Sequence, residues 1–337
     1  MSTAGGNLGE ALRALPRIPL ALLPTPLEPA RRLGERLGIE LSVKREDQSG
    51  LGLGGNKARQ VEVLLADAVA HGADTVLTTA GAQSNFCRVF AAGAARLGLR
   101  CVLLLRGKRQ APTGNLFLDL LFGAQIHWID TEDPYDAAVL ERLETLAAGT
   151  GGRAQIVQLP GAAGPLAAAA AASLAVEIAE QCPEVTAIYV AAGSGLTAAG
   201  LALGLAALGL RARVVAVSVQ QPQGFIEPLI RRRAQEAAGL LGLDLRLGPD
   251  RLVVTDRWIG PGYGQPSAPA IDALRLAARL EGWVLDPVYT GEALAGLIAD
   301  AKADALAGER VVFLHSGGAP SLFAHGAAVA EHFLELA

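Results

Sequence analysis

The chain has 337 residues, of which 51% are hydrophobic and 18% charged, and its formal net charge is −4 at pH 7. A chain of this length can bury a large core and is expected to form one elaborate domain or two. The near-neutral charge, without any cluster of five lysines and arginines, argues against nucleic-acid binding, and the longest apolar run, 162–176, is mostly alanine and is not expected to span a membrane.

Helix and strand patterns alternate along the chain from residue 58. Apolar residues at positions 61, 64, 65 and 68 recur at the spacing of one helix face, which predicts a helix over 58–71. Strands are predicted next at 75–79, 101–106, 125–130, 154–159, 186–191 and 213–219, and helices at 115–122, 135–148, 165–181 and 197–208, with a further helix that ends at Gly98. Strands of continuous valine, isoleucine and leucine between helices are typical of parallel sheets covered on both faces. The chain is therefore predicted to be an α/β protein.

The loop GAQSN at 81–85 follows a predicted strand, which is where ligands bind in folds of this kind. Ser84 and Asn85 should lie in the first turn of the next helix, among backbone N–H groups that attract a carboxylate or a phosphate. Simple N-capping by the serine or the asparagine is the alternative explanation.

The loop AAGSGLTAAG at 191–200 follows another predicted strand. Gly193 and Gly195 allow the backbone to approach a ligand closely, and Ser194 and Thr197 add hydroxyl groups at a helix start. The run approximates the G-x-G-x-x-G turn of dinucleotide-binding proteins, but the acidic residue expected about 20 residues later is missing. The loop is therefore predicted to bind the phosphate of a ligand of mononucleotide size.

A third loop, LHSGGAPS at 314–321, also joins a strand pattern to a helix pattern through glycines. The hydroxyl of Ser316 is its distinctive chemical group, and a tight turn is the simpler explanation.

Lys57 stands behind a glycine-rich run, GLGLGG at 50–55, and ahead of the first predicted helix. A lysine at a helix start is usually a solvated surface charge, although the positive end of the helix dipole disfavours a cation there. An amine desolvated among glycines, in a fold that also has a phosphate-binding loop, is what a Schiff base with pyridoxal phosphate requires.

Together these residues resemble the fold-type II pyridoxal phosphate enzymes, within the group of D-cysteine desulfhydrases and 1-aminocyclopropane-1-carboxylate (ACC) deaminases. The resemblance extends over nearly the whole chain. It is carried by LPTPLEP (23–29), VKREDQSG (43–50), GGNKAR (54–59), GAQSN (81–85), GSGLT (193–197), GPGYGQPS (260–267), LDPVYTGEALAGLI (285–298) and HSGGAP (315–320).

The resemblance implies a role for each candidate site residue. Lys57 would hold the cofactor and act in catalysis, Ser84 and Asn85 would serve the substrate carboxylate and the cofactor's 3-hydroxyl, and Tyr263 would reach the substrate. The phosphate of the cofactor would be bound by Gly193, Ser194, Gly195, Leu196 and Thr197. Tyr289, which is also a catalytic candidate, would lie against the cofactor ring. Thr290 and Ser316 would lie near the ring nitrogen. No metal is expected.

The fold implied is of the tryptophan synthase β type, with two open, twisted, mostly parallel sheet domains. The large cofactor-binding domain would comprise 1–57 and 162–337, and the small inserted α/β domain 58–161. The Gly- and Pro-rich segment at 159–165 is a candidate boundary on composition alone. The resemblance also implies a homodimer.

Three positions depart from the family pattern. Relatives commonly have lysine where this chain has Gln60, so one phosphate-binding cation is expected to be missing. They commonly have histidine or glutamine where it has Phe86, which should make the substrate pocket more apolar. Leu196 replaces a usual glycine in the phosphate loop.

Thr290 and Ser316 favour β-elimination over ring opening. ACC deaminases typically carry glutamate and leucine at these positions, and a carboxylate near the ring nitrogen would strengthen the electron sink that ring opening needs. The expected reaction is conversion of D-cysteine to pyruvate, ammonia and hydrogen sulfide. L-cysteate sulfo-lyase, ACC deaminase and elimination from another β-substituted alanine stay open, as does an idle ligand-binding α/β module.

Three cysteines, without metal-type spacing, and an N-terminus without a signal-peptide pattern fit a protein of the reducing cytoplasm. The expected partner is a small amino-acid substrate, with neither nucleic acid nor membrane.

Overall fold

The strands form two sheets in the computed structural model, which describes residues 3–335. The strands are β1 (Leu27–Pro29), β2 (Glu40–Lys44), β3 (Thr75–Gly81), β4 (Arg100–Arg106), β5 (Gln125–Ile129), β6 (Ala154–Ile156), β7 (Ala187–Ala192), β8 (Arg213–Ser218), β9 (Leu252–Thr255) and β10 (Arg310–Leu314). Within the described range, a six-stranded sheet has the order β1-β2-β10-β7-β8-β9, and a four-stranded sheet has the order β5-β4-β3-β6.

Helices connect the strands and cover the sheets. They are α1 (Thr3–Ala14), α2 (Arg31–Leu37), α3 (Lys57–Ala70), α4 (Asn85–Arg96), α5 (Gly114–Leu121), α6 (Ala137–Ala148), α7 (Gly164–Ala171), α8 (Ser173–Gln181), α9 (Leu196–Ala207), α10 (Gln223–Leu240), α11 (Ala268–Glu281), α12 (Thr290–Lys302), α13 (Ala319–Ala324) and α14 (Gly326–Glu335). Of the helices within 3–335, none combines the length and the apolar character needed to cross a bilayer.

Parallel pairing dominates both sheets, which confirms the predicted fold class. β10 pairs in parallel with β2 and β7, and β3 pairs in parallel with β4 and β6. The β1–β2 pair is antiparallel and forms one edge of the larger sheet. Strands buried on both faces need apolar side chains at successive positions, which is why their sequences lack strand-type alternation.

Two predicted elements differ from the structure. The helix predicted over 165–181 is divided into α7 and α8 at Ala172, where the Ser173 hydroxyl donates a hydrogen bond of 2.8 Å to the carbonyl of Ala170. A serine that bonds back to a carbonyl of the preceding turn competes with the helix. The strand predicted over 154–159 ends at Ile156, because the chain turns at the carbonyl of Gln158, which accepts from the N–H of Gly161 at 3.1 Å.

Helix α9 is buried on all sides and positions the loop that precedes it. A Cβ added at Gly200 would lie 2.3 Å from the carbonyl oxygen of Ala168 in α7, and one at Gly204 would lie 2.5 Å from the Cβ of Ala175 in α8. Only glycine permits this approach, so α9 is held close to both helices. Its N-terminus is thereby fixed at the carboxyl end of β7.

Candidate active site

A cavity of about 140 Å³ lies where the carboxyl ends of strands from both sheets meet. Nearly all of the residues that the sequence indicated line it: Lys57, Ser84, Asn85, Gly193, Ser194, Gly195, Leu196, Thr197, Tyr263, Tyr289 and Ser316. Thr290 is the exception, since it is fully buried away from the cavity.

The glycine run before Lys57 is pressed against the rest of the chain. Gly54 and Gly55 have φ angles of 71° and 124°. A Cβ at Gly54 would lie 1.9 Å from the carbonyl oxygen of Asp47, and one at Gly55 would lie 3.1 Å from that of Ser316. Both positions therefore require glycine. The loop delivers Lys57 to the cavity as the first residue of α3.

The amine of Lys57 has an unusually low pKa. Burial, and then the positive charge of Arg233, lower its pKa from 10.5 to about 8. A minor fraction of the amine is therefore neutral at pH 7, far more than for a lysine with the ordinary pKa of 10.5. A neutral amine can act as a nucleophile and can accept a proton, and both roles require this state.

Arg88 and Asn115 support two segments that line the cavity, the glycine run before Lys57 and the 81–85 loop, and sequence reasoning missed both. The guanidinium of Arg88 donates to the carbonyls of Gly52 and Gly54, the latter at 2.9 Å, and to Asn115 Oδ1 at 2.8 Å. Asn115 Nδ2 donates in turn to Asn85 Oδ1 at 3.0 Å. With its oxygen engaged in this way, Asn85 has its amide nitrogen to offer to a ligand.

Ser84 combines the two explanations that its sequence context left open. Its hydroxyl oxygen accepts from the backbone N–H of Cys87 at 3.2 Å, so it is the N-cap of α4. It also lines the cavity, and a hydroxyl that caps with one lone pair keeps a proton to donate.

The loop at 193–197 places the N-terminus of α9 at the cavity. Gly195 has a φ of 75°, and a Cβ there would lie 2.5 Å from Cγ1 of Ile230. The Thr197 hydroxyl accepts from Asn56 Nδ2 at 2.9 Å, which ties the loop to the residue before Lys57. Free backbone N–H groups at a helix start make this end of the cavity suitable for an anion.

Arg233 in α10 adds a cation to this anion site. It is 4% exposed, lines the cavity and donates to the carbonyl of Ser194. Its neighbours Arg231 and Arg232 pair with glutamates of their own helix, whereas Arg233 forms no salt bridge with a carboxylate of residues 3–335. A buried arginine without an acidic partner indicates an anionic ligand. The RRR run at 231–233 was the available signal in the sequence.

Gln60, where a cation was expected to be missing, lies beside the same loop. It is fully buried, its Nε2 lies 3.5 Å from the Thr197 hydroxyl, and its Oε1 has no hydrogen-bond partner among the described residues. The cation that position 60 lacks is therefore supplied at this loop by Arg233 of α10.

Tyr263 and Tyr289 meet on the cavity through a hydrogen bond between their hydroxyls. Their ring centroids are 6.3 Å apart and the rings are nearly perpendicular, at 77°. Burial raises the pKa of both phenols, so both are protonated at neutral pH. The backbone N–H of Tyr289 donates to Asp286 Oδ1 at 2.7 Å, which fixes the turn that presents this side chain.

Thr290 belongs to the same turn but faces its interior. Its hydroxyl donates to Asp286 Oδ2 at 2.7 Å and accepts from the backbone N–H of Asp286 at 2.8 Å. Of the two hydroxyl residues expected near a ring nitrogen, only Ser316 therefore lines the cavity.

An aromatic pair lies at the mouth of the cavity. Tyr135, just before α6, contacts Phe225 of α10 edge to face, with ring centroids 6.1 Å apart. The pair joins a loop near the four-stranded sheet to a helix near the six-stranded sheet. Phe86, 4% exposed, supplies an apolar wall farther inside.

The cavity residues fit pyridoxal phosphate. The amine of Lys57 suits its aldehyde, and the N-terminus of α9 with Arg233 suits its phosphate. The glycines at 193 and 195 leave space that side chains would fill: a Cβ at Gly193 would lie 3.2 Å from the ring of Tyr289.

Comparison with known proteins agrees with this fit. Residues 18–317 match the family described as pyridoxal-phosphate dependent enzyme. A D-cysteine desulfhydrase from Klebsiella pneumoniae subsp. pneumoniae is 40% identical over 325 residues, 93% of this chain and 97% of its own. A D-cysteine desulfhydrase from Salmonella newport is 39% identical over 329 residues, with the same coverage of 93% and 97%.

Two solved structures extend the comparison. A protein described as an ACC deaminase homologue has a TM-score of 0.88 and 33% identity, covering 98% of this chain and 100% of its own. Threonine deaminase isoform 2 from Solanum lycopersicum shares the fold, with a TM-score of 0.69 at 18% identity over 98% of this chain and 89% of its own. The resemblance inferred from the sequence is thus confirmed, and the chain belongs to the family of pyridoxal phosphate-dependent enzymes.

Proposed function

We propose that the chain is a pyridoxal phosphate-dependent lyase that converts D-cysteine to pyruvate, ammonia and hydrogen sulfide by β-elimination. One observation carries the proposal: a D-cysteine desulfhydrase is 40% identical to this chain across 97% of its own length. The geometry supports it, because an amine with a pKa of about 8 shares a cavity with two protonated tyrosines and the 81–85 loop.

Each end of the cofactor would meet different residues. Lys57 would hold it through the amine, and the N-terminus of α9, with Thr197 and Arg233, would bind the phosphate. Asn85 would donate from Nδ2 to the ring hydroxyl, Tyr289 would lie against the ring, and Ser316 would face the ring nitrogen. Thr290, the other residue expected near the ring nitrogen, would not contact the cofactor and would only stabilise the turn that it shares with Asp286. When bound, pyridoxal phosphate supplies an electron-withdrawing ring that stabilises negative charge at the substrate Cα.

The chain's own groups would carry the proton transfers. Ser84 and the N–H groups at the start of α4 would bind the substrate carboxylate and so orient the Cα–H bond. The substrate's amino group would first displace Lys57 Nζ from the cofactor. The freed amine, which is partly neutral at neutral pH, would then take the Cα proton. The carbon–sulfur bond then breaks, and its electron pair leaves on sulfur as hydrosulfide. Released 2-aminoacrylate is hydrolysed by water to pyruvate and ammonia.

The tyrosine pair would assist departure of the sulfur. Tyr263 and Tyr289 share one hydrogen bond between their hydroxyls, so one of the two protons is available to a third group. Because burial raises both pKa values, that proton is present at neutral pH.

Other substrates remain as second candidates. ACC deaminase is supported by the structural neighbour described as an ACC deaminase homologue. It would require a strong electron sink, and the hydroxyl of Ser316 is a weak partner for a protonated ring nitrogen. L-cysteate sulfo-lyase and elimination from other β-substituted alanines would use the same residues. The alternative that is not an enzyme is an α/β module that binds a ligand without catalysing a reaction.

A substrate panel tests the proposal. Purified protein loaded with pyridoxal phosphate is incubated with D-cysteine, L-cysteine, L-cysteate and ACC, and keto acid, ammonia, sulfide and sulfite are measured. We expect equal amounts of pyruvate and sulfide from D-cysteine. The Lys57→Ala variant should form neither product, and the Lys108→Ala variant should match the wild type. A dominant release of sulfite from L-cysteate, or of 2-oxobutanoate from ACC, would contradict the substrate assignment.

We also propose a homodimer in the cytoplasm. The dimer is supported by an exposed apolar surface on α5 and α13, which pack together. The side chains of this surface are Phe117, Leu121 and Phe323, which are 53%, 65% and 76% exposed. We expect Leu121→Asp with Phe323→Asp to yield monomers by light scattering, whereas Leu240→Asp, at an exposed site in α10, should not. The cytoplasm is supported by three unpaired cysteines.

The domain division proposed is 58–161 against 1–57 with 162–337. It is supported by the sheets, since β3 to β6 come from the first range and the other strands from the second. Limited proteolysis that cut first near 159–165 would agree with it.

A further inference from the structure

Arg106 is a second arginine on the cavity, and neither the cofactor nor the substrate groups assigned above account for it. It ends β4 and is in register with Gly81 of β3, where the 81–85 loop begins. Its Nε is buried without a hydrogen-bond partner, and its side chain forms no salt bridge within residues 3–335. This nitrogen has lost its hydration without gaining a hydrogen bond in exchange.

Arg106 lies in the part of the cavity where Tyr263 and the start of the 81–85 loop are found, which is the part proposed to bind the substrate. Tyr263 and Tyr289 line the same cavity as Arg106, and Asp133, the carboxylate whose charge acts on the guanidinium, forms no salt bridge with it. A Cβ at Gly81 would lie 3.7 Å from the ring of Tyr263, so the arginine, the loop start and the tyrosine occupy one small region. Arg233, by contrast, contacts Ser194 at the phosphate loop.

The anions of the reaction can be divided among these groups. The phosphate is served by the N-terminus of α9 and Arg233, and the substrate carboxylate by Ser84 and the start of α4. The remaining negative charge is the one that the β-substituent carries or acquires as its bond to carbon breaks. An arginine beside the tyrosine pair is suited to that charge, because a preformed cation stabilises it without reorganisation.

We propose that Arg106 forms a subsite for the β-substituent and directs the enzyme toward amino acids whose β-substituent is, or leaves as, a soft or oxygen-rich anion, such as hydrosulfide or sulfite. This inference rests on the proposed elimination. In that step the bond from Cβ to sulfur breaks, both electrons leave on sulfur, and the anion that forms pairs with the guanidinium. The inference adds to the proposed function the residue that selects the leaving group.

The test compares leaving groups across variants of Arg106. Wild type, Arg106→Lys, Arg106→Gln and Arg106→Met are assayed with cysteine, cysteate and 3-chloroalanine, each as the enantiomer that the wild type accepts. Chloride departs readily without assistance and serves as the matched control. We expect kcat/KM for cysteine and cysteate to fall on the order of 10²-fold in Arg106→Met and Arg106→Gln, the typical cost of one lost donor. We expect a change below about 3-fold for 3-chloroalanine and partial recovery in Arg106→Lys.

Binding is measured separately with alanine, which has no β-substituent, and with methanesulfonate as an inhibitor. Arg106→Met should weaken inhibition by methanesulfonate and leave alanine binding unchanged. Equal losses for all three substrates and for alanine would place Arg106 on the α-carboxylate and overturn the inference, as would unchanged kinetics throughout. A wild type that forms no pyruvate even from 3-chloroalanine would instead refute the proposed elimination.

Discussion

Lys57 and Arg233 lie on one cavity, and the positive charge of the arginine adds to burial in lowering the pKa of the lysine amine to about 8. The same arginine would serve the phosphate of the cofactor, and its charge helps to keep the amine of Lys57 partly neutral. A charged lysine is unfavourable at the positive end of a helix dipole. Because the amine of Lys57 is partly neutral, its position at the start of α3 is less unfavourable.

The first prediction is a pH dependence of cofactor capture. In protein freed of cofactor, only the neutral amine reacts, so the rate of pyridoxal phosphate uptake should rise with pH and level off above about 8. The Arg233→Gln variant should move the midpoint upward, toward 10.5, because one of the two causes is removed. Stopped-flow absorbance measures both midpoints. An unchanged midpoint in the variant would separate the arginine from the lysine.

The lowered pKa of Lys57 also makes the stability of the protein depend on pH. Lys57 loses its proton more readily in the folded chain than in the unfolded one, so between about 8 and 10.5 the unfolded state binds more protons. The free energy of unfolding of cofactor-free protein should therefore gain a contribution from Lys57 as pH rises through that window. In Lys57→Met that contribution should be absent, which denaturant titrations at several pH values would measure.

The second prediction concerns the cation of the phosphate loop. Arg233→Gln should weaken binding of pyridoxal phosphate by roughly 10- to 100-fold, the range of a lost charge-assisted hydrogen bond. Its affinity for pyridoxal, which lacks the phosphate, should change little. Adding Gln60→Lys to Arg233→Gln should restore part of the loss, because position 60 borders the same loop. Equilibrium titration followed by absorbance gives each constant, and equal losses for both ligands would contradict a phosphate contact.

The third prediction separates two costs of replacing a glycine. Gly209 has a φ of 71° and open space around its Cβ position, whereas Gly195, with a φ of 75°, would bring a Cβ within 2.5 Å of Ile230. Gly209→Ala should cost about 1–2 kcal/mol from backbone conformation alone. Gly195→Ala should cost more and weaken cofactor binding, and Gly195→Asp should weaken it further by charge repulsion. Thermal unfolding with and without cofactor compares the three variants.

The fourth prediction distinguishes Thr290 from Ser316. Thr290→Val should cost about 1–3 kcal/mol, because Asp286 loses a buried donor, while the absorbance of the bound cofactor stays the same. Ser316→Ala should shift that absorbance and leave the unfolding temperature nearly unchanged. Thr290→Glu would bury a second carboxylate beside Asp286, and we expect it to unfold the turn before it confers any ACC activity. An absorbance shift in Thr290→Val would return this residue to the ring nitrogen.

The convergence of the sequence motifs on one cavity was predictable because parallel strands bring the loops at their carboxyl ends together. Lys57, the 81–85 loop and the 193–197 loop each follow a glycine run or a strand, and these are local signals. Arg233 follows neither, and the RRR run at 231–233 does not show which arginine faces the cavity. Arg231 and Arg232 form ordinary helix ion pairs, and the direction of Arg233 depends on how α10 packs against Gly195.

Thr290 shows the opposite limit of sequence reasoning. It adjoins Tyr289, yet successive residues at a helix start point about 100° apart, so a neighbour in the chain need not share a cavity. Asp286, four residues earlier, holds the Thr290 hydroxyl, and that pairing depends on the turn geometry.

The glycine loop is bonded on both sides. The carbonyl of Gly54 accepts from Arg88 in α4, next to the four-stranded sheet. The N–H of Asn56 donates to the carbonyl of Ser316 at 3.1 Å, beside the six-stranded sheet. The backbone that presents Lys57 is thus bonded to both walls of the cavity, so a cofactor bound through its amine would keep one position relative to each wall.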